Sequence, residues 1–361
     1  MDAILHVPVL GFVLQFIGYI VNALFTTNLP AQTLQLATPI ALGALCGVLN
    51  ERSGVVNIGI EGMMLTAAFV GFMAAMIVHD AMPGAEAGVF GFTPALIVGL
   101  LAAIAAGMLV SLLHAWLSIT VRADQIISGT VINIIALGLT GYLNRLIKPG
   151  GSAGTLQPLR PPTELLDLPI VGWIIKMFLT SGPITTSVIF FVIILQVLLF
   201  RSRWGLRTRA VGEHPRAADT VGIDVIRVRY RNVILGGIFA GLAGAWLTLE
   251  YNASFQNGMT ANRGFIALAA VIFGRWTPIG AFGGALLFMV WEALGIAIRS
   301  NPPPGDLGVF LSGLQASYPS LYNNFFGSLP YLLTLIVLAG VVGRSIPPAA
   351  DGQPYVKEAA A

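Results

Sequence analysis

Apolar runs long enough to cross a bilayer recur along the whole chain, and they leave few architectures open. A hydrocarbon core about 30 Å thick takes roughly 20 apolar residues per helix. Runs approaching that length occupy residues 7–25, 32–49, 60–78, 93–118, 124–147, 183–200, 232–250, 279–298 and 329–343. Only 10% of the 361 residues are Asp, Glu, Lys or Arg, and 56% are hydrophobic. An ordinary soluble domain carries about 25% charged residues, so that class is excluded. The expected fold class is all-α, a polytopic transmembrane helix bundle of about 8–10 membrane segments counting one half-helix. It forms a single transmembrane domain over residues 1–361. The 19 basic and 16 acidic residues leave a net charge of +3, too small to hold nucleic acid. The single cysteine, Cys46, lies in an apolar run and forbids an internal disulfide, so it reads as a small core residue.

The first run lacks a basic leader and a small-residue cleavage site, since Asp2 and His6 precede it. It reads as a retained N-terminal addition, residues 1–31, whose helix either spans the membrane or lies in its interface. Orientation follows from arginine, because basic loops stay cytoplasmic. Arg201, Arg203, Arg207, Arg209, Arg216, Arg227, Arg229 and Arg231 are eight of the 19 basic residues and fall within residues 201–231. That loop is therefore expected in the cytoplasm. Counting outward puts both termini and the tail 344–361 inside, and segments 148–168 and 299–328 outside. The short piece 169–180, with Trp173 and Lys176, reads as an interfacial helix.

Two segments break the pattern. Residues 264–274 are apolar but only eleven long and run into Arg275-Trp276-Thr277-Pro278; at 1.5 Å per residue they reach about half-way across the membrane. Residues 50–59, Asn-Glu-Arg-Ser-Gly-Val-Val-Asn-Ile-Gly, interrupt another apolar stretch. Broken backbone at membrane depth is tolerated only where protein or a water-filled cavity satisfies it, so the two breaks point to a transport path between them. A plain cytoplasmic loop at 50–59 is the alternative.

Several chemistries lack their motifs. No Gly-x-x-x-x-Gly-Lys-Ser/Thr, His-Glu-x-x-His or Gly-x-Ser-x-Gly occurs, and His6, His79, His114 and His214 are scattered. Neither ATP hydrolysis by this chain nor metal or serine catalysis is expected, and no cofactor is implied. Within the runs the ionisable residues are few: Glu61, Glu250, Glu292, Arg145 and His114. Most stand near run ends, where helix-dipole contacts account for them, which weakens an ion-coupled carrier or channel.

Inside the arginine loop stands Ala210-Val-Gly-Glu213-His214-Pro215-Arg216-Ala217-Ala218-Asp219-Thr-Val-Gly222. Pro215 suits a helix start and Gly222 its end, giving a two-turn helix whose small side chains allow close approach to a partner. This loop resembles the coupling segment of permease subunits of ATP-binding-cassette importers. Residues 50–65 resemble the N-terminal signature of the family that includes branched-chain amino acid, ribose and nucleoside permeases. Residues 265–281 resemble its C-terminal signature. The Asn-Glu-Arg-Ser-Gly-Val-Val-Asn and Phe-Gly-Arg-Trp-x-Pro forms are most similar to the nucleoside branch, and the resemblance covers residues 32–343.

The resemblance implies a type II importer fold in a bacterial inner membrane. It also implies two ATP-binding-cassette ATPase domains, a second permease chain (the same or different), and an extracytoplasmic solute-binding protein or lipoprotein. The segment Glu213, His214, Pro215, Arg216, Ala217, Ala218, Asp219 and Gly222 would dock on the ATPase. The candidate solute contacts are Asn57, Glu61, Asn133, Trp246 and Glu250, because amides and carboxylates match nucleobase and ribose edges and an indole stacks on a base. Each has a structural alternative: Asn57 capping the next helix with Glu61 in its first turn, Asn133 bonding a neighbouring helix, Trp246 and Glu250 at the outer interface. Sugars, riboflavin and branched-chain amino acids stay open as solutes.

Overall fold

A computed structural model of the chain describes residues 8–26, 29–82, 84, 88, 91–147, 151–158, 161–166, 168, 171–340 and 345–357. Among the described residues every regular element is helical. In chain order these are α1 (Pro8–Thr26), α2 (Leu29–Glu51), α3 (Ile60–Ala81), α4 (Pro94–Ala115), α5 (Gln125–Ile147), α6 (Thr163–Leu166), α7 (Val171–Leu179) and α8 (Pro183–Arg201). There follow α9 (Arg203–Glu213), α10 (Pro215–Thr220), α11 (Val225–Ala245), α12 (Arg263–Phe273), α13 (Pro278–Ser300), α14 (Asp306–Ser317) and α15 (Pro319–Gly340). Among them α2, α3, α4, α5, α8, α11 and α13 are long and apolar enough to cross a membrane. The expected half-helix is α12, eleven residues long. The first seven residues of the N-terminal addition, parts of the segment 148–170, the end of the last run at 341–343 and the tail residues 358–361 lie outside the described residues.

α4 and α11 each end in a π-helical turn, Trp116–Val121 and Trp246–Tyr251. The two turns open on nearly the same residues, Ala115-Trp116-Leu117-Ser118 and Ala245-Trp246-Leu247-Thr248. Such wide turns are rare and gather at functional sites.

The chain divides into two compact units. One holds Met1–Ala37, Arg160–Ser181 and Leu286–Gly343. Its α1 accepts at Gln15 Oε1 from Leu307 N of α14 (3.1 Å), and Tyr19 donates to Asn301 O (3.0 Å). Trp173 of α7 donates its indole N–H to Leu24 O (2.9 Å). The piece read as an interfacial helix thus turns its tryptophan onto α1, because a protein carbonyl satisfies the indole.

The other unit holds Thr38–Leu159, Gly182–Ala285 and Arg344–Ala361. Burial sorts its helices into inner and outer. Of the most apolar windows of α3 and α11 with its extension, 67% and 78% are buried, against 33%, 28% and 33% for α4 with its extension, α5 and α8. Leu101, Leu109, Ile127, Ile134 and Phe190 are each 60% or more exposed. Helices this apolar with bare faces need lipid as their second partner.

The inner helix α11 meets α4 through glycine. A Cβ on Gly241 of α11 would stand 2.6 Å from Ile104 Cα of α4, and one on Gly237 would stand 2.7 Å from Gly107 O. Small residues let the backbones close to that distance. Gly283, on α13, faces open space. Gly241→Leu should therefore destabilise by about 3 kcal/mol or more, the upper range of overpacking. Thermal unfolding in detergent checks it, with Gly283→Ala expected to melt as the parent does.

Candidate functional site

The break between α2 and α3 is held by bonds from neighbouring helices. Val56 N donates to Gln125 Oε1 (2.7 Å), and Val56 O lies 3.0 Å from His114 Nε2. A carbonyl can only accept, so Nε2 carries the proton and Nδ1, 3.1 Å from Ser128 Oγ, accepts. Asn133 closes the far end: Nδ2 donates to Ile58 O (2.9 Å) and Oδ1 accepts from Gly62 N (2.7 Å). His114 and Gln125 are buried and absent from the sequence-based candidates. The signal available was a polar residue in an otherwise apolar run facing a break that has to be satisfied.

Asn57 is wholly buried; its Oδ1 accepts from Gly59 N (3.0 Å) and its Nδ2 points at Met63 Sδ (3.5 Å). The N-cap of α3 is Gly59, with no side-chain bond, so Asn57 folds the turn before the helix rather than capping it. Glu61 reaches across 200 residues of sequence. Its Oε1 accepts from Asn262 N (2.9 Å) and its Oε2 from Gly264 N (2.6 Å), at the N-terminus of α12. A carboxylate there meets the positive end of the helix dipole and two donors that the helix cannot satisfy itself. It also holds a strained entry, for Ala261 (φ 47°) and Asn262 (φ 65°) are non-glycine residues in the left-handed region, at about 1–3 kcal/mol each.

Glu61 and Asn133 line a cavity of about 330 Å³ together with Leu65, Thr260, Asn262 and Phe265. Its walls are the first turns of α3, the middle of α5, the entry to the half-helix and its first turn, while residues 50–59 do not line it; Phe265 offers an exposed ring (43%) alongside carboxylate and amide. That is the size and the mix of apolar wall and few polar groups that small-molecule sites use.

Trp246 and Glu250 are elsewhere. Glu250 accepts from Ile184 N (2.6 Å), Thr185 N (3.1 Å) and Thr185 Oγ1 (2.6 Å), and Trp246 donates to the same Oγ1 (2.9 Å). Both are buried. They seal the N-terminus of α8, and neither lines the cavity. The dipole contacts expected of Glu61 and Glu250 do occur, but on helices other than their own.

The arginine-rich segment folds as α9 and α10 around His214. Ser202 Oγ accepts from Gly205 N (3.1 Å) to start α9, and Pro215 opens α10. Gly222 (φ 83°) ends it, with Gly222 N donating to Asp219 O (2.9 Å) and Ile223 N to Ala218 O (3.0 Å), the paired bonds of a Schellman cap. Ala218 faces inward, packed with Val211, Val225, Val228 and Tyr355. The exposed face carries His214, Arg216, Ala217, Val221 and Gly222, and Val221 is 74% exposed. Helical period puts adjacent alanines on different faces, so the two cannot both meet a partner.

The tail lies against this segment. Ala350 N donates to Gly212 O (2.9 Å), Ala349 N to Glu213 Oε2 (3.0 Å), and Lys357 pairs with Asp219 (3.9 Å). Between tail and segment is a second cavity of about 520 Å³, lined in part by Glu213, His214, Arg216, Ala217 and Tyr355. Burial pushes the Asp351 carboxyl above the usual carboxylate range, opposed by the Gly352 N–H and Arg229.

With a half-helix, a cavity at its entry and an arginine-rich segment, the chain has the parts of a transport subunit. The family profile described as the permease component of branched-chain amino acid transport systems matches residues 29–343. The chain belongs to this family. The permease is 39% identical to the guanosine ABC transporter permease protein NupQ of Bacillus subtilis, over 90% of this chain and 95% of that one. It is 36% identical to the nucleoside ABC transporter permease protein NupC of Lactococcus lactis (91% and 96%). It is 35% identical to the putative glucose ABC transporter permease protein TsgC13 of Haloferax volcanii (89% and 93%). No solved structure matches the permease.

Proposed function

We propose that this permease carries nucleosides into the cell as the membrane subunit of an ATP-driven importer. The observation that supports it best is the cavity of Glu61, Asn133 and Phe265: the ring can stack on a base while carboxylate and amide meet its polar edges. The names of the Bacillus and Lactococcus relatives support the same solute class. The assembly joins the permease to a second permease chain, two ATP-binding-cassette ATPase domains and an extracytoplasmic solute-binding protein or lipoprotein. The ATPases engage the exposed face of α9 and α10. Their closure moves that segment, tilts α8 and α11, and alternates access to the cavity. The Haloferax relative favours a second reading, a sugar importer. Uptake of radiolabelled guanosine and adenosine by cells carrying all subunits, with ribose, glucose and leucine as controls, separates the two. Nucleoside uptake supports the first reading, and glucose or ribose uptake without it supports the sugar.

The reading places the permease in the cytoplasmic membrane with termini and arginine segment inside. Cys46 is fully buried, so an introduced thiol can be followed in a Cys46→Ser background. Ser152→Cys and Ser312→Cys should react with impermeant reagents from outside, and Arg203→Cys only from the cytoplasmic side. Reversed labelling would overturn the orientation and the ATPase dock together.

A further inference from the structure

The half-helix α12 is gripped at both ends by residues from the two ends of the break between α2 and α3. At its N-terminus the grip is Glu61, on Asn262 N and Gly264 N. At its C-terminus the chain makes another left-handed turn with two consecutive non-glycine residues, Arg275 (φ 51°) and Trp276 (φ 53°). Arg52 spans that turn: Nε donates to Trp276 O (2.7 Å) and Nη2 to Arg275 O (3.1 Å). The Trp276 indole in turn donates to Glu51 Oε2. A backbone in this region persists only where its surroundings over-determine it. Arg52 also faces the other way. Its Nη1 lies 4.0 Å from Glu213 Oε1, in the last turn of α9, and its guanidinium stands over the Phe200 ring (5.6 Å) at the end of α8.

One side chain therefore holds both the strained end of the half-helix that walls the cavity and the carboxylate beside α10. We infer that Arg52 is a positioning residue that carries movement of the α9–α10 segment to α12, so that ATPase closure reshapes the solute cavity. A planar guanidinium fixes two carbonyls and a carboxylate in one geometry, which a lysine ammonium does not. The chain of contact is continuous from Glu213 through Arg52 to the 275–276 turn, along α12, and to Glu61 at the cavity. The inference rests on the reading of α9 and α10 as the ATPase dock.

The test uses the complete complex in proteoliposomes, with guanosine as solute, and reads three quantities: ATPase retained on purification, ATP hydrolysed, and ATP hydrolysed per guanosine moved. Arg52→Ala should retain the ATPase and its hydrolysis while the ATP hydrolysed per guanosine rises at least about tenfold, within the span of site-to-site coupling. Arg52→Lys keeps the charge facing Glu213 but loses the fork on the turn, and should raise the ratio by less. Glu213→Gln, which leaves the 275–276 turn untouched, should raise it as well and decides the matter if Arg52→Ala fails to fold. An unchanged ratio in Arg52→Lys and Glu213→Gln overturns the inference, as does a parallel fall of uptake and hydrolysis, which marks a structural role only. Ala217→Arg separates the two levels. If it strips the ATPase while the Arg52 variants couple normally, the dock stands and the transmission fails; if it leaves both ATPase and uptake intact, the dock fails and the transmission with it.

Discussion

Ala217→Arg is expected to strip the ATPase from the complex and abolish uptake while leaving the permease folded. Ala217 is exposed on α10 and borders the open cavity of about 520 Å³ between α10 and the tail, which leaves room for the arginine within the chain. In a docked interface it inserts a long charged side chain where a methyl group had allowed close approach. A substitution at a packed interface centre costs about 2 kcal/mol or more, roughly thirtyfold in affinity. Val221→Asp, at the 74% exposed apolar residue beside it, should act alike. Ala218→Arg should behave differently, because Ala218 packs with Val211, Val225, Val228 and Tyr355: the melting temperature falls as well as the ATPase yield. Co-purification at wild-type level with full uptake in Ala217→Arg and Val221→Asp together would refute the dock.

Glu61→Leu is expected to bring the other large loss. The leucine leaves Asn262 N–H and Gly264 N–H without their acceptor, at about 1 to 3 kcal/mol for each donor denied water. It also removes the hold on the left-handed pair Ala261 and Asn262 and strips the carboxylate from the cavity wall. Guanosine uptake should fall to background, while Glu61→Gln, which keeps one carbonyl oxygen for one of the two donors, should retain part of it. Asn57→Leu gives the contrast. Asn57 is wholly buried and bonds the turn at Gly59, so its loss should lower thermal stability more than it alters the preference among solutes. Wild-type uptake in Glu61→Leu would remove the cavity from the solute path.

Much of this molecule is legible in one dimension. The spans 60–78, 93–118, 124–147 and 183–200 match α3, α4, α5 and α8 within a few residues, because the length of an apolar run measures a bilayer directly. The half-helix shows by its shortness and α10 by Pro215 and Gly222, since caps are local chemistry. The division of labour among the polar residues does not show. Glu61 stands in the first turn of α3, where a dipole contact with its own helix explains it, yet its oxygens hold α12, with Asn262 201 positions further along the chain. Glu250 holds α8 across 66 residues. His114, Gln125 and Arg52 read as isolated polar residues until the break they satisfy, or the turn they span, is placed beside them. Ala217 and Ala218 look alike in sequence, and only the packing of α10 on Tyr355 sends one inward and the other out.

The amino-acid sequence by itself determined that the chain is helical and apolar, where its helices stop, and that its arginines gather in one segment, because bilayer thickness, backbone satisfaction and capping all act within a few turns of chain. Tertiary structure alone decided which carboxylate caps which helix, that Glu61 and Asn133 share a cavity with Phe265 while Trp246 and Glu250 do not, and that one arginine joins α9 to the end of α12. Those outcomes depend on partners far away in the chain, and a hydrogen bond of 2.6 Å between Glu61 and Gly264 is written in no local pattern.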